Sequence, residues 1–265
     1  MASVPLSGSD NSTVKSCLQK NYQTVNDMKD ENIQCILTSG RTISELPSSS
    51  SPYMIIKYGP TGSGKGSEVV QKEIRLLGVP VENYAVFEID SLVESIKMYR
   101  NQTMIIKQKR KMGEINTRKM YNNLSNAYFS TRKTKNHKSQ KNLNTKMDDI
   151  LQNAIKNSKN IIFETTGTYF SFSNPIKWLI DETLKINTNY KIVVIYPIVS
   201  VNELIKRVDK RAENQSTRKN KQLYRAINTS KIEAWASYSK MNLTHFLLPE
   251  LFSKRIHKII AVWNE

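Results

Sequence analysis

One stretch constrains this chain more than any other: Gly59-Pro60-Thr61-Gly62-Ser63-Gly64-Lys65-Gly66-Ser67. The apolar run Met54-Ile55-Ile56-Lys57-Tyr58 precedes it, and Glu68-Val69-Val70-Gln71-Lys72-Glu73-Ile74 follows. That order predicts a strand, a glycine-rich turn and a helix. Such a turn aims several backbone N–H groups and a helix N-terminus at one point, which suits a phosphate chain. The glycines let the backbone approach an anion closely, and Lys65 adds a point charge. The spacing matches the phosphate-binding pattern G-x-x-x-x-G-K, with Gly66 where Ser or Thr is usual and Ser67 one place later. The expected ligand is a nucleoside triphosphate, with Ser67 the nearest hydroxyl for its metal ion.

The rest of the chain reads as an alternation of strands and helices. Apolar runs predict strands over 53–58, 84–89, 160–163, 191–196 (stopped by Pro197) and 256–263. Helical spacing predicts helices from Glu68 to about Leu77, from Ser91 through Ile96, over 148–157, around 176–184, from Ser200 onward, and over much of 222–248. Alternation of this kind implies an α/β domain with a parallel sheet and crossover helices. Before it, residues 1 to about 12 read as a polar tail. Val14, Cys17, Leu18, Tyr22, Val25 and Met28 recur at helical spacing, and the serine-rich 48–52 reads as a linker. The expected division is therefore a tail and helical extension over 1–50 and a domain over 51–265.

Charge singles out one insertion. The 265 residues carry a formal net charge of +17. Between Lys97 and Lys146 stand fourteen Lys/Arg and one acid, Glu114. The first half of this insertion has helical spacing; the second, over 130–144, reads as a loop. Such a cluster fits nucleic acid, an anionic lipid surface or a polyanionic substrate, and a Lys/Asn/Ile-rich composition accounts for it equally well. Tyr121 and Tyr128-Phe129 near it could stack on bases or pack a helical hairpin. Two cysteines, Cys17 and Cys35, without a leading apolar segment argue against a secreted disulfide scaffold. No apolar run has the length to span a bilayer. The expectation is a soluble, intracellular protein. His137, His245 and His257 show no metal-ligand spacing.

In an open parallel sheet, ligands gather at the carboxyl ends of the strands. Three polar stations are expected there: the glycine-rich loop, Asp90, and Glu164 with Thr165. Asp90 is the candidate general base toward an acceptor hydroxyl, and capping of the following helix is its bland alternative. Glu88 is placed inside the strand and ranks below it. Glu164 suits either a magnesium-associated acid or an acceptor contact, and a plain strand-end turn with Gly167 is the third reading. Arg207 and Arg211 share one helix face, with Arg218 further on. An arginine there could stabilise a transferring phosphoryl group, or simply belong to a solvated basic face.

These features together resemble the zeta-toxin-like P-loop kinases: the loop Gly59 to Ser67, Asp90 within Phe87-Glu88-Ile89-Asp90-Ser91-Leu92, Glu164 within Asn160-Ile161-Ile162-Phe163-Glu164-Thr165-Thr166, and the basic helix after Ile198-Val199-Ser200. The resemblance covers about residues 53–100 and 147–265. It implies a three-layer kinase-type domain with a mainly parallel five-stranded sheet, binding of ATP and Mg²⁺, and phosphoryl transfer to a hydroxyl of a nucleotide sugar or related small acceptor. It also implies Lys65 on the phosphates, Asp90 as base, Glu164, Thr165 and Arg218 near the acceptor, and an arginine from Arg207, Arg211 or Arg218 as the lid residue. The Gly66-Ser67 pair is closer to the form seen in adenylate-kinase-like enzymes, so the ion is held by Ser67 or through water. Nucleoside monophosphate kinases and polynucleotide kinases are the rival enzymes. A nucleotide-gated nucleic-acid-binding protein without kinase activity is the rival of another class.

Overall fold

The structure, a computed structural model, describes residues 22–24, 27–113, 143–166, 175–213 and 229–264, together with 116, 119–120 and 123–124. The expected tail, the helical face from Val14 to Leu18, Tyr121, Tyr128-Phe129, His137, Gly167 and Arg218 lie outside the described residues, as does most of the expected loop over 130–144.

The element order is α1 (Asp30–Leu37), β1 (Tyr53–Tyr58), α2 (Glu68–Arg75), β2 (Tyr84–Phe87), α3 (Ile89–Glu94), α4 (Lys97–Lys111), α5 (Leu143–Lys156), β3 (Asn160–Thr165), α6 (Pro175–Ile186), β4 (Lys191–Ile198), α7 (Val201–Glu213), α8 (Thr229–Asn242), a π-helical turn (Leu243–Leu247), α9 (Leu248–Phe252) and β5 (Lys258–Trp263). The five strands form one sheet in the order β2-β3-β1-β4-β5. Every pairing is parallel. An α/β domain with a parallel sheet flanked by helices is what the alternating pattern requires.

Period-two alternation divides each strand between two layers. Met54, Ile56, Ile161, Phe163, Ile192 and Val194 face the larger core, which also takes in Ile33 and Leu37 of α1, Leu151 of α5 and Leu179 of α6. Ile55, Ile162, Val193 and Ile195 face the other side and meet Val70 and Ile74 of α2. The chain steps one way along the sheet from β1 to β2, and back the other way through β3, β4 and β5. Right-handed crossovers then put α2 on one face and the later helices on the other. The segment before β1 joins the larger core through Tyr22, Met28, Ile43 and Leu46 as well. Ser48 bridges to Lys159, whose ammonium donates to the Ser48 hydroxyl (3.0 Å).

Two expectations are corrected. β2 stops at Phe87, not Ile89: Glu88 keeps extended dihedrals as the residue capping α3, and Asp90 lies in the first turn of that helix. Pro197 does not stop β4, which continues to Ile198. Ile192 and Ile198 turn their carbonyls toward the β5 side, accepting from His257 and Asn264. Pro197 therefore faces the β1 side, where the ladder already ends at Lys57↔Ile195, and its missing N–H costs no hydrogen bond. Cys35 on α1 is disulfide-bonded. Among the described residues no helix is long and apolar enough to cross a membrane.

Candidate functional site

The candidate site lies at the carboxyl ends of the strands. β1 runs into the glycine-rich loop, whose start is tied to β3 by the Gly59 N–H donating to the Thr165 carbonyl (3.3 Å). Gly62 and Gly64 hold φ of +88° and +81°, which L side chains rarely adopt. Gly62 also has no room for a side chain. A Cβ there would sit 3.1 Å from the Leu204 carbonyl and from Val208, because the loop lies directly on α7. The loop ends at Ser67, which precedes the first residue of α2 with extended dihedrals.

Lys65 is buried and folds back on its own loop. Its ammonium donates to the carbonyls of Gly59 (2.8 Å) and Pro60 (3.2 Å), and stands 3.9 Å from Glu164 Oε1. Burial pulls its pKa below the usual lysine value, and the Glu164 carboxylate pulls the other way. Ser63 and Ser67 place their hydroxyls in the same loop, both buried without a hydrogen-bond partner. A buried orphan hydroxyl costs roughly 1–3 kcal/mol, so two in one cradle indicate a site that a polar ligand completes. The hydroxyls, the ammonium and the N–H groups of a glycine-rich turn fit the phosphates of a nucleotide and an associated cation.

Facing the loop are three carboxylates. Glu164, in β3, pairs in register with Lys57 of β1, and their side chains form an ion pair at 2.7 Å. Glu88 is half-buried at the end of β2 and accepts a hydrogen bond from the Ser91 hydroxyl (3.2 Å). Burial first, and then repulsion from Glu164, hold the Glu88 carboxyl above the usual carboxylate range, against the pull of Lys57. Asp90, in the first turn of α3, is exposed and adds to that repulsion. A carboxyl whose pKa is raised by burial and like charge beside a cationic loop is a candidate for proton exchange. The expected ranking of Asp90 above Glu88 rested on Glu88 lying inside the strand, which it does not. Among the described residues no group of three or more His, Cys, Asp or Glu is arranged to hold a metal ion.

The basic helix α7 is capped by Ser200, whose hydroxyl accepts from the Glu203 N–H (3.3 Å). Arg207 Nε donates to Glu203 Oε1 (2.9 Å), and its Nη2 donates to the carbonyl of Asn264 (2.8 Å). Arg207 is thus tied to the end of β5. Arg211 belongs to α7, but its side chain, like Arg218, lies outside the described residues. Thr165 brings its carbonyl to the loop. Two residues at this site were not singled out by sequence reasoning. Lys57 had a visible signal, a cation inside an apolar strand. Asn264 had none, because its place beside the loop depends on β5 pairing with β4.

The geometry defines a class before any comparison: a parallel α/β domain with a glycine-rich loop at its carboxyl edge. No family model and no curated protein matches the sequence. A solved chain from the PezAT chromosomal toxin-antitoxin system of Streptococcus pneumoniae is similar in fold, with a TM-score of 0.50 at 12% identity over 98% of this chain and 80% of that one. The likeness is one of architecture, distant in sequence.

Proposed function

We propose that this chain is an ATP- and Mg²⁺-dependent phosphotransferase acting on a hydroxyl of a small acceptor, a nucleotide sugar or related molecule. The observation that carries the reading is the loop around Lys65, with two buried hydroxyls lacking partners opposite a cluster of carboxylates at the same sheet edge. Lys65 and the loop N–H groups would hold the phosphates, with Ser63 and Ser67 bonding to phosphate oxygen or to the cation. Bound there, ATP supplies a transferable phosphoryl group. Asp90, with Glu88 beside it, takes the proton of the acceptor hydroxyl onto a carboxylate oxygen. Glu164 holds Lys57 and Lys65 in place and lines the acceptor side with Thr165. Because Arg207 is engaged by Glu203 and Asn264, the lid role falls to Arg211 or Arg218. The charge cluster over 97–146 favours a polynucleotide acceptor as the second reading.

The test follows label from γ-labelled ATP with Mg²⁺ to a panel of nucleoside diphosphate sugars, nucleoside monophosphates and short 5′-hydroxyl RNA and DNA. Transfer to one class, lost in Lys65→Ala and lowered about 10²- to 10⁴-fold in Asp90→Asn, is the expected result. ATP bound but never transferred would replace the reading with a nucleotide-gated binding protein.

A further inference from the structure

We infer that Asn264, the residue following β5, is a positioning residue for the glycine-rich loop, and that Arg207 holds it in that role. The inference rests on the phosphate-binding reading above and names a residue that sets the loop's geometry. Asn264 is fixed at three points. Its N–H extends the β4–β5 ladder by donating to the Ile198 carbonyl (3.2 Å). Its own carbonyl accepts from Arg207 Nη2 (2.8 Å). Its side-chain amide then donates to the Ser63 carbonyl (2.7 Å). The amide occupies the very space a side chain at position 64 would need: a Cβ on Gly64 would lie 1.9 Å from Asn264 Nδ2. Glycine at 64 thus serves the approach of Asn264 as well as its φ of +81°.

The consequence follows from peptide geometry. A trans peptide is planar, and its C=O and N–H point in opposite directions; no described peptide bond is cis. By holding the Ser63 carbonyl on its own side of the loop, Asn264 turns the Gly64 N–H to the opposite face. Gly62 and Gly64, both with positive φ, flank Ser63, an alternation that makes a concave row of N–H donors for an anion. Asn264 therefore fixes one of those donors before any ligand arrives. Arg207, held on α7 by Glu203 at 2.9 Å, keeps Asn264 from swinging away. The loop's readiness for phosphate depends on the last strand of the sheet, through a residue that need not touch the ligand.

The decisive variant is Asn264→Ala, which removes the amide donor without placing a charge beside the anion. Calorimetric titration with tripolyphosphate and with ATP, alongside unfolding temperature, separates positioning from stability. The expected result is an affinity for both ligands lowered about tenfold or more, with an unfolding temperature close to wild type. Binding within twofold of wild type would overturn the inference. Should Asn264→Ala fail to fold, Asn264→Leu, close in volume and without a donor, carries the same comparison and the same threshold. Failure of the wild-type protein to bind either ligand would instead remove the phosphate-binding reading, and this inference with it.

Discussion

Lys57 and Glu164 give the sharpest test of how the site is built. The two side chains are only 7% and 19% exposed, and they meet at 2.7 Å between the central strands. Glu164→Gln preserves the shape of the carboxylate but leaves the buried Lys57 ammonium without its ion-pair partner. Breaking a buried pair by removing one partner costs about 3–5 kcal/mol, because the remaining ion keeps its desolvation penalty. Two features set the expectation at the lower end, about 3 kcal/mol. Glu164 keeps some contact with water, and its neutralisation relieves the repulsion it exerts on Glu88. At roughly 2–4 °C per kcal/mol for a chain of this size, the melting temperature should fall by about 6–12 °C. Lys57→Met combined with Glu164→Gln removes both charges. The double variant should cost less than the sum of the two single variants by about 2 kcal/mol, the coupling expected of groups in contact. Lys65, 3.9 Å from Glu164, loses the same counter-charge in both variants that carry Glu164→Gln, so its contribution cancels in the coupling. Urea unfolding of the four proteins measures every term. A Glu164→Gln variant within about 1 kcal/mol of wild type, or strictly additive effects, would refute the reasoning.

Two further outcomes are expected. Glu88 has its carboxyl pKa raised on folding from 4.5, so above that value the native state binds more protons than the unfolded one and stability falls with rising pH until the native carboxyl has ionised. Glu88→Gln should raise the urea midpoint at neutral pH and flatten that slope; an unchanged slope would mean Glu88 titrates alike in both states. Deleting residues 130–142 removes five of the fourteen basic residues of the insertion and stops short of Leu143, which is buried in α5. Elution from heparin should move to lower salt, and an unaltered elution point would reduce the charge cluster to composition.

The sheet was legible because parallel strands buried on both faces read as short apolar runs. Ile161-Ile162-Phe163 and Ile192-Val193-Val194-Ile195 could hardly be anything else. Their ends were less legible, because a strand ends where its neighbour does. β2 stops at Phe87, where its register with Phe163 of β3 runs out, while β4 passes through Pro197 because β5 continues beside it. The turn around Lys65, between β1 and α2, was readable from spacing alone, since its glycines act locally. Lys57–Glu164 and Asn264–Ser63 were not, because each joins residues that only the register of distant strands brings together.

That register has a consequence for how the protein comes into being. β1, which carries the loop, has β3 and β4 as its neighbours, and Tyr53 meets Asn160 across 107 intervening steps of chain. Contacts of such separation form late, after the loop-closure entropy has been met, and slow the folding of parallel sheets. During synthesis the glycine-rich stretch leaves the ribosome long before either flanking strand exists, so its apolar lead-in Met54-Ile55-Ile56 must wait unpaired. A nascent chain halted before Ile198 would therefore expose that segment as an aggregation hazard, and dependence on chaperones should be greatest in that interval.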